Sequence, residues 1–183
     1  MENKVALITG GAKGIGRAVA LDLAAHGWAV AICYRTSARE ADEVIAGVKQ
    51  NGSRGLALQC DVANAEAAVK SVERVHQDYG RIDALINGAG PYHRISLLQE
   101  TNAGWHAMFD NNLHPVFYLT QAVLPIMKAQ KWGRIVSFSM ANAEQLIAQP
   151  QLTAHYIAKV GLLALSRSFA KLIAADGITM NCV

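Results

Sequence analysis

An apolar run, Lys4-Val5-Ala6-Leu7-Ile8-Thr9, passes without a spacer into Gly10-Gly11-Ala12-Lys13-Gly14-Ile15-Gly16 and then into a stretch of helical period. A strand that breaks on glycines and resumes as a helix is a phosphate-binding device. Glycine is needed in such a bend because tight turns use φ values that other residues avoid, and because a side chain would hold the backbone away from a pyrophosphate. The helix, expected from about Gly14 to Ala25, aims its free N–H groups and positive dipole end at the anion. Three readings are open: a plain turn, a nucleoside-triphosphate loop, and a dinucleotide site. A triphosphate loop requires lysine and then a hydroxyl residue after the last glycine, whereas Gly16 is followed by Arg17 and Ala18. The order strand, glycines, helix fits a dinucleotide, although the spacing is Thr-Gly-x-x-x-Gly-x-Gly and not Gly-x-Gly-x-x-Gly.

The 183 residues are 52% hydrophobic and 17% charged, which predicts one globular domain spanning the chain, with ample core. A formal charge of +3, carried by scattered basic residues, argues against nucleic acid or an anionic membrane as partner. No tract reaches the length of a membrane span, and the first strand begins too near Met1 for a signal peptide, so a cytoplasmic location is expected. Cys33, Cys60 and Cys182 are far apart and read as buried free thiols, and the six histidines have no metal-ligand spacing, so no metal is expected.

Apolar runs alternate with helical segments along the whole chain. Strands are expected at about Val5–Thr9, Ala29–Tyr34, Gly55–Gln59, Ala84–Asn87, Arg134–Phe138 and Thr179–Val183, with helices ending at Gly27, Asn51–Gly52, Gly80 and Gly177. Repeated strand–helix–strand units predict an α/β fold: a doubly wound, Rossmann-like parallel sheet. Ligands of such sheets lie outside the carboxyl ends of the strands, where the strand order reverses. At the end of strand two, an acid would hold a ribose 2′-hydroxyl and repel a 2′-phosphate. Tyr34 and Arg35 stand there instead, with Lys13 in the loop and Arg39 further on, and no acid stands among these residues. NADP(H) is therefore the expected cofactor.

These residues together resemble the short-chain dehydrogenase/reductase family. The resemblance is carried, in order, by Thr9-Gly10…Gly14-x-Gly16, Asp61-Val62, Asn87-x-Ala89-Gly90, Asn112-Leu113, Gly133-Arg134-Ile135-Val136, and Lys159 followed by Gly161. It implies a nicotinamide cofactor and hydride transfer between a carbonyl and an alcohol. By the same resemblance Asp61 with Val62 lies near the adenine, and Asn87, Ala89 and Gly90 line the ribose side. A tyrosine paired with Lys159 is implied as proton carrier, a serine after strand five as the group that orients the carbonyl, and Asn112 as holder of a relay water. Lys159 is also implied to hold the nicotinamide ribose, and the helices bearing Asn112 and Lys159 to form a homo-oligomer. On those helices Val116, Leu119, Leu162, Leu165 and Phe169 offer apolar material, much of it explained by core packing.

The chain departs from that pattern in three places. Four residues before Lys159 stands His155, while Tyr156 stands three before it. At roughly 100° per residue both approach Lys159, from flanks about 40° and 60° away, so either is a candidate proton carrier. The serine position falls on Met140, whose thioether has no proton to donate, with Ser139 one residue earlier. The chain also ends at Val183, in strand six, so that a last strand and a substrate-covering region are expected to be missing. Asn112 fits the pattern, because Pro115 deprives the carbonyl of Asn111 of its helical donor and should bend the helix there. Two functions remain open: an NADP(H)-dependent reductase of a 3-oxoacyl, small-ketone or pterin-like carbonyl compound, and a cofactor-binding sensor or partner subunit without turnover. The stretch from Pro91 to Trp105 is expected beside the substrate.

Overall fold

The computed structural model describes residues 4–183; the expectation of no leader, which rests on the chain around Met1, lies outside them. Six strands form one parallel sheet: β1 Val5–Thr9, β2 Ala29–Tyr34, β3 Gly55–Gln59, β4 Ala84–Asn87, β5 Gly133–Ser137 and β6 Ile178–Cys182. Their order is β3-β2-β1-β4-β5-β6, which places the reversal between β1 and β4. The helices are α1 Gly14–Ala25, α2 Ala38–Gln50, α3 Ala65–Tyr79, α4 Asn102–Asn112, α5 His114–Gln130 and α6 Thr153–Ile173.

Alternation along the strands feeds two cores. Val5 and Leu7 of β1 face Val72, Leu119 and Leu162 of α3, α5 and α6, while Ala6 and Ile8 face Ala20 and Val44 of α1 and α2. Both faces are covered, so β1 is buried at every position and reads as an unbroken apolar run. The expected doubly wound sheet is the observed one. β5 and β6 each begin and end one residue earlier than expected. Gly133 and Ile178 already pair, and at the other end the carbonyl of Phe138 is taken by Lys159 Nζ at 2.7 Å.

The segment around Pro115 is interrupted outright and not merely bent. α4 ends at Asn112, Leu113 has φ −107 and ψ −52, and α5 opens with Pro115 in its first turn. Val116, Leu119 and Leu162, expected as association material, are buried, and Leu165 and Phe169 pack against the core. The large apolar side chains these helices expose are Phe117, Ile157 and Leu172. Among the described residues no helix is long and apolar enough to cross a membrane.

Asp83 locks the amino ends of three strands together. Its carboxylate accepts the Val5 N–H and the Arg81 guanidinium, both at 2.8 Å, and its carbonyl accepts the Arg134 N–H at 2.9 Å. The side chain is fully buried, so an Asp83→Ala change orphans the Val5 N–H and removes the carboxylate that Arg81 grips. A loss of about 3 kcal/mol is expected from such a break, read as a lowered midpoint in urea unfolding with unchanged slope.

Candidate active site

A cavity of about 510 Å³ opens at the reversal of strand order. Gly10, Lys13, Gly14, Ile15 and Gly16 form one wall, Gly88 to Pro91 the opposite one, and Tyr34, Arg35, Asp61 and Val62 the end. The glycines are there because the two strand exits nearly touch. A Cβ on Gly10, whose φ is +65, would lie 3.0 Å from the backbone of Gly88 and Ala89, and one on Gly16 would lie 2.5 Å from the carbonyl of Gly10. α1 has neither a side-chain cap nor an acid in its first turn, which leaves its N–H groups and dipole directed into the cavity. A phosphate-bearing dinucleotide fits this cradle.

Thr9, not anticipated as a site residue, holds the two walls in place. Its hydroxyl is buried and accepts the N–H groups of Gly88 and Ala89, each at 3.1 Å. The signal was its place as the last residue of an otherwise apolar strand. Cys33 and Cys60 also line the cavity as free thiols. Their contact, together with burial, holds the Cys33 thiol well above its usual range.

The basic cluster differs from expectation, because an acid does stand in it. Glu40, on the first turn of α2, pairs with Lys13 at 3.0 Å. The Lys13 ammonium holds that carboxyl below its usual range. Arg39 is turned along α2 to Glu43 at 2.8 Å and does not join Arg35 at the cavity. Arg35 remains at the cavity end, half exposed, with Nη1 donating to Asn111 Oδ1 at 3.3 Å and 4.0 Å from Asp61. The Asp61 carboxylate meanwhile accepts the Ala63 N–H at 3.1 Å. Asn87 also departs from expectation. Ala89 and Gly90 line the cavity, whereas Asn87 donates across the sheet to Ser137 Oγ at 3.1 Å.

Past Gly90 the reactive corner is built from two helices. A Cβ on Gly90 would lie 2.6 Å from Asn112 Oδ1 and 3.5 Å from Lys159 Nζ, so both polar groups converge on that bare backbone. Asn112 is buried. Its amide donates to the carbonyls of Pro91 and Met108, both at 2.9 Å, and its Oδ1 has no partner in the protein. Lys159 is buried too, and desolvation lowers its pKa. One turn before it, the His155 ring lies 5.7 Å from the Tyr92 ring, tilted by 50°. Burial first, and then the charges of Lys159 and His93, lower its pKa to about 4.

The other candidate groups are directed elsewhere. The Tyr156 hydroxyl donates to the carbonyl of Asn142 and accepts the Ile147 N–H, each at 3.0 Å, clamping the loop after β5. Ser139 Oγ donates to the carbonyl of Lys159 at 3.3 Å, and its N–H to the carbonyl of Val183. Met140 is half-buried, with its carbonyl accepting the Ala143 N–H at 3.1 Å.

A six-stranded parallel sheet with its crevice at the reversal, a glycine cradle and a buried lysine beside an asparagine define a dinucleotide-binding α/β protein with a polar reaction corner. The family model described as short chain dehydrogenase matches residues 4–183. A 3-oxoacyl-[acyl-carrier-protein] reductase of Synechocystis sp. is 37% identical over 180 residues, covering 98% of this chain and 72% of that protein. Among solved structures, an acetoin dehydrogenase from Salmonella typhimurium superposes with a TM-score of 0.92 at 28% identity, over 98% of this chain and 71% of its own. An NAD+-bound xylitol dehydrogenase gives a TM-score of 0.92 at 29% identity, over 99% and 69%. The chain belongs to the short-chain dehydrogenase family, a family of oxidoreductases that use a nicotinamide cofactor.

Two outcomes follow from the cavity. Thr9→Val keeps the volume of the side chain but removes the acceptor of two N–H groups. It should cost about 1–3 kcal/mol of stability and weaken dinucleotide binding, as read by nucleotide fluorescence titration. Glu40→Gln frees Lys13. If the cavity end takes a 2′-phosphate, NADPH should bind several-fold more tightly in this variant while NADH binding stays level.

Proposed function

We propose that this protein is an NADP(H)-dependent oxidoreductase that interconverts a ketone and an alcohol. The observation that carries the reading is the convergence of Asn112 Oδ1 and Lys159 Nζ on Gly90, with His155 one turn away on the same helix. Bound in the cavity, the nicotinamide cofactor would supply or accept the hydride. The glycine cradle and the α1 amino end suit its pyrophosphate, and the exposed guanidinium of Arg35 suits a 2′-phosphate. Asp61 and Val62 would flank the adenine; Ala89 and Gly90 would flank the ribose.

On the protein side, Lys159 brings a positive charge that strengthens as an electrostatic partner because its surroundings are dry. Its ammonium, fixed by the carbonyl of Phe138, stabilises negative charge developing on the substrate oxygen. His155 is the proton-handling group in this reading. Its ring is neutral at working pH and offers one N–H to that oxygen. Tyr156 is assigned no part in the chemistry, since both sides of its hydroxyl are engaged by the loop it clamps. The 3-oxoacyl-[acyl-carrier-protein] reductase among the relatives makes 3-oxoacyl thioesters the first compounds to try.

A second reading has its own support. Ser139 is committed to the α6 backbone and Met140 cannot donate, so the carbonyl lacks the hydroxyl partner that the family resemblance implies. On that basis the chain would bind NADP(H) without turnover, as a sensor or partner subunit. Replacing His155 and Tyr156 separately by Phe separates the readings. Carbonyl-dependent NADPH oxidation should fall about 100-fold or more in H155F, with NADPH affinity kept. Y156F should keep its turnover number, with a lower thermal midpoint from the released loop. NADPH binding without turnover on any carbonyl compound would retire the oxidoreductase reading in favour of the second.

A further inference from the structure

Ketone reduction consumes a proton as well as a hydride, and His155 is ill suited to store one. Its ring stays neutral, and a neutral imidazole has one N–H and one bare nitrogen, so it can pass a proton on only if another group refills it. Nδ1 of His155 is buried and has no hydrogen-bond partner. The loop before α4, whose Tyr92 ring lies near that of His155, carries an ionisable pair that the reaction has not yet used. His93 Nε2 lies 2.6 Å from Glu100 Oε2. The Glu100 side chain is only 8% exposed, whereas that of His93 is 37% exposed. Glu100 is fixed in turn, since its Oε1 accepts the Thr101 N–H at 3.0 Å at the start of α4.

The pair is held against the reaction corner by its own loop. The adjacent Tyr92 ring packs on His155 at 5.7 Å. Ile95 and Leu97 donate their N–H groups to Gln151 and Pro150, at 3.0 and 2.9 Å, in the segment that leads into α6. The charge of His93 is felt at His155. The titratable groups facing His155 are Lys159 from its own helix and His93 and Tyr92 from this loop.

We propose that the His93–Glu100 pair is the proton source of the site, loading from solvent at the exposed imidazole and delivering through His155 to the substrate oxygen. This rests on the ketone–alcohol reading given above. In the reducing direction the carbonyl carbon gains a hydride from the nicotinamide cofactor and the C=O π pair moves onto oxygen. That oxygen bonds the proton leaving the N–H of His155, the bare nitrogen of His155 takes a proton from a bridging water as that water takes the proton of His93, solvent then reloads His93, and proton exchange with solvent returns His155 to its starting tautomer. Glu100 balances the charge of the loaded imidazole through Nε2, which leaves Nδ1 of His93 to hand the proton on. In alcohol oxidation every transfer runs in reverse. His93 and Glu100 are thus positioning and relay residues that act through His155.

The test compares wild type, H93Q, E100Q and H155F, using NADPH with a short 3-oxoacyl thioester and a small ketone. H93Q is expected to bind NADPH as wild type does and to lose about tenfold or more in kcat with KM little changed, and imidazole added to the buffer should restore part of the rate. Nitrogen NMR of the His155 ring, read without substrate, should show its midpoint moving up from about 4 in H93Q as the neighbouring charge is removed. Should H93Q fail to fold, E100Q, which keeps the size of the side chain, is expected to show the same loss in kcat. Full kcat in H93Q or in a folded E100Q, alongside an inactive H155F, overturns the relay alone. Wild type that binds NADPH but turns over neither compound overturns the oxidoreductase reading and the relay with it.

Discussion

The molecule is organised around one close approach, between the exits of β1 and β4. Gly10 and Gly16 on one side and Gly88 on the other leave no room for a Cβ, and the buried Thr9 hydroxyl fills the space between with two hydrogen bonds. Because these exits adjoin, the crevice has a floor made of backbone. Because they belong to strands where the order reverses, the helices that follow leave on opposite faces and the crevice stays open. The cofactor cradle and the reaction corner both hang from this junction, since Gly90 is only two residues past Gly88 and Asn112 and Lys159 meet there.

Electrostatics then divides the crevice in two. At the far end Lys13 and Arg35 are exposed and share their surroundings with Glu40 and Asp61, so their field is screened and an incoming phosphate must compete with carboxylates already in place. At the corner, Lys159 and His155 are desolvated and a single charge goes further. The low pKa of His155 has a consequence for the fold. Its folded value, about 4, lies below the ordinary 6.5, so as pH falls through that window the unfolded chain takes up a proton that the folded chain refuses, and stability declines.

Sheet, strand ends and glycine loop were legible from the sequence because each depends on local pattern: unbroken apolar runs for buried strands, glycines for the turns, and βα alternation for the order. Side-chain directions were less legible. The three basic residues looked convergent because Arg35 and Arg39 follow strand two and Lys13 lies in the neighbouring glycine loop, yet Arg39 points along α2 and Lys13 meets Glu40, an acid in the first turn of α2 that motif spacing does not weigh. Asn87 lies in a strand whose alternation sends it to Ser137. His93 and Glu100 went unremarked because they sit seven apart in a loop without period, and only the folded loop brings them together.

The pair His155-Tyr156 shows how far a single residue of offset reaches. One step along a helix turns a side chain by roughly 100°, so two adjacent rings project in different directions. His155 faces Tyr92 and the corner, whereas Tyr156 faces Asn142 and Ile147 and ties down the long segment after β5. That segment contains Asn142 and Leu146, both with positive φ, at 63 and 52, a conformation costly for a residue with a side chain and sustained only where surrounding contacts fix it. A tyrosine hydroxyl that both donates and accepts supplies such a contact on either side of the strained turn. The offset therefore gives the two rings separate duties. The histidine inherits the position four before Lys159, and the tyrosine becomes the scaffold of the loop that lies over it.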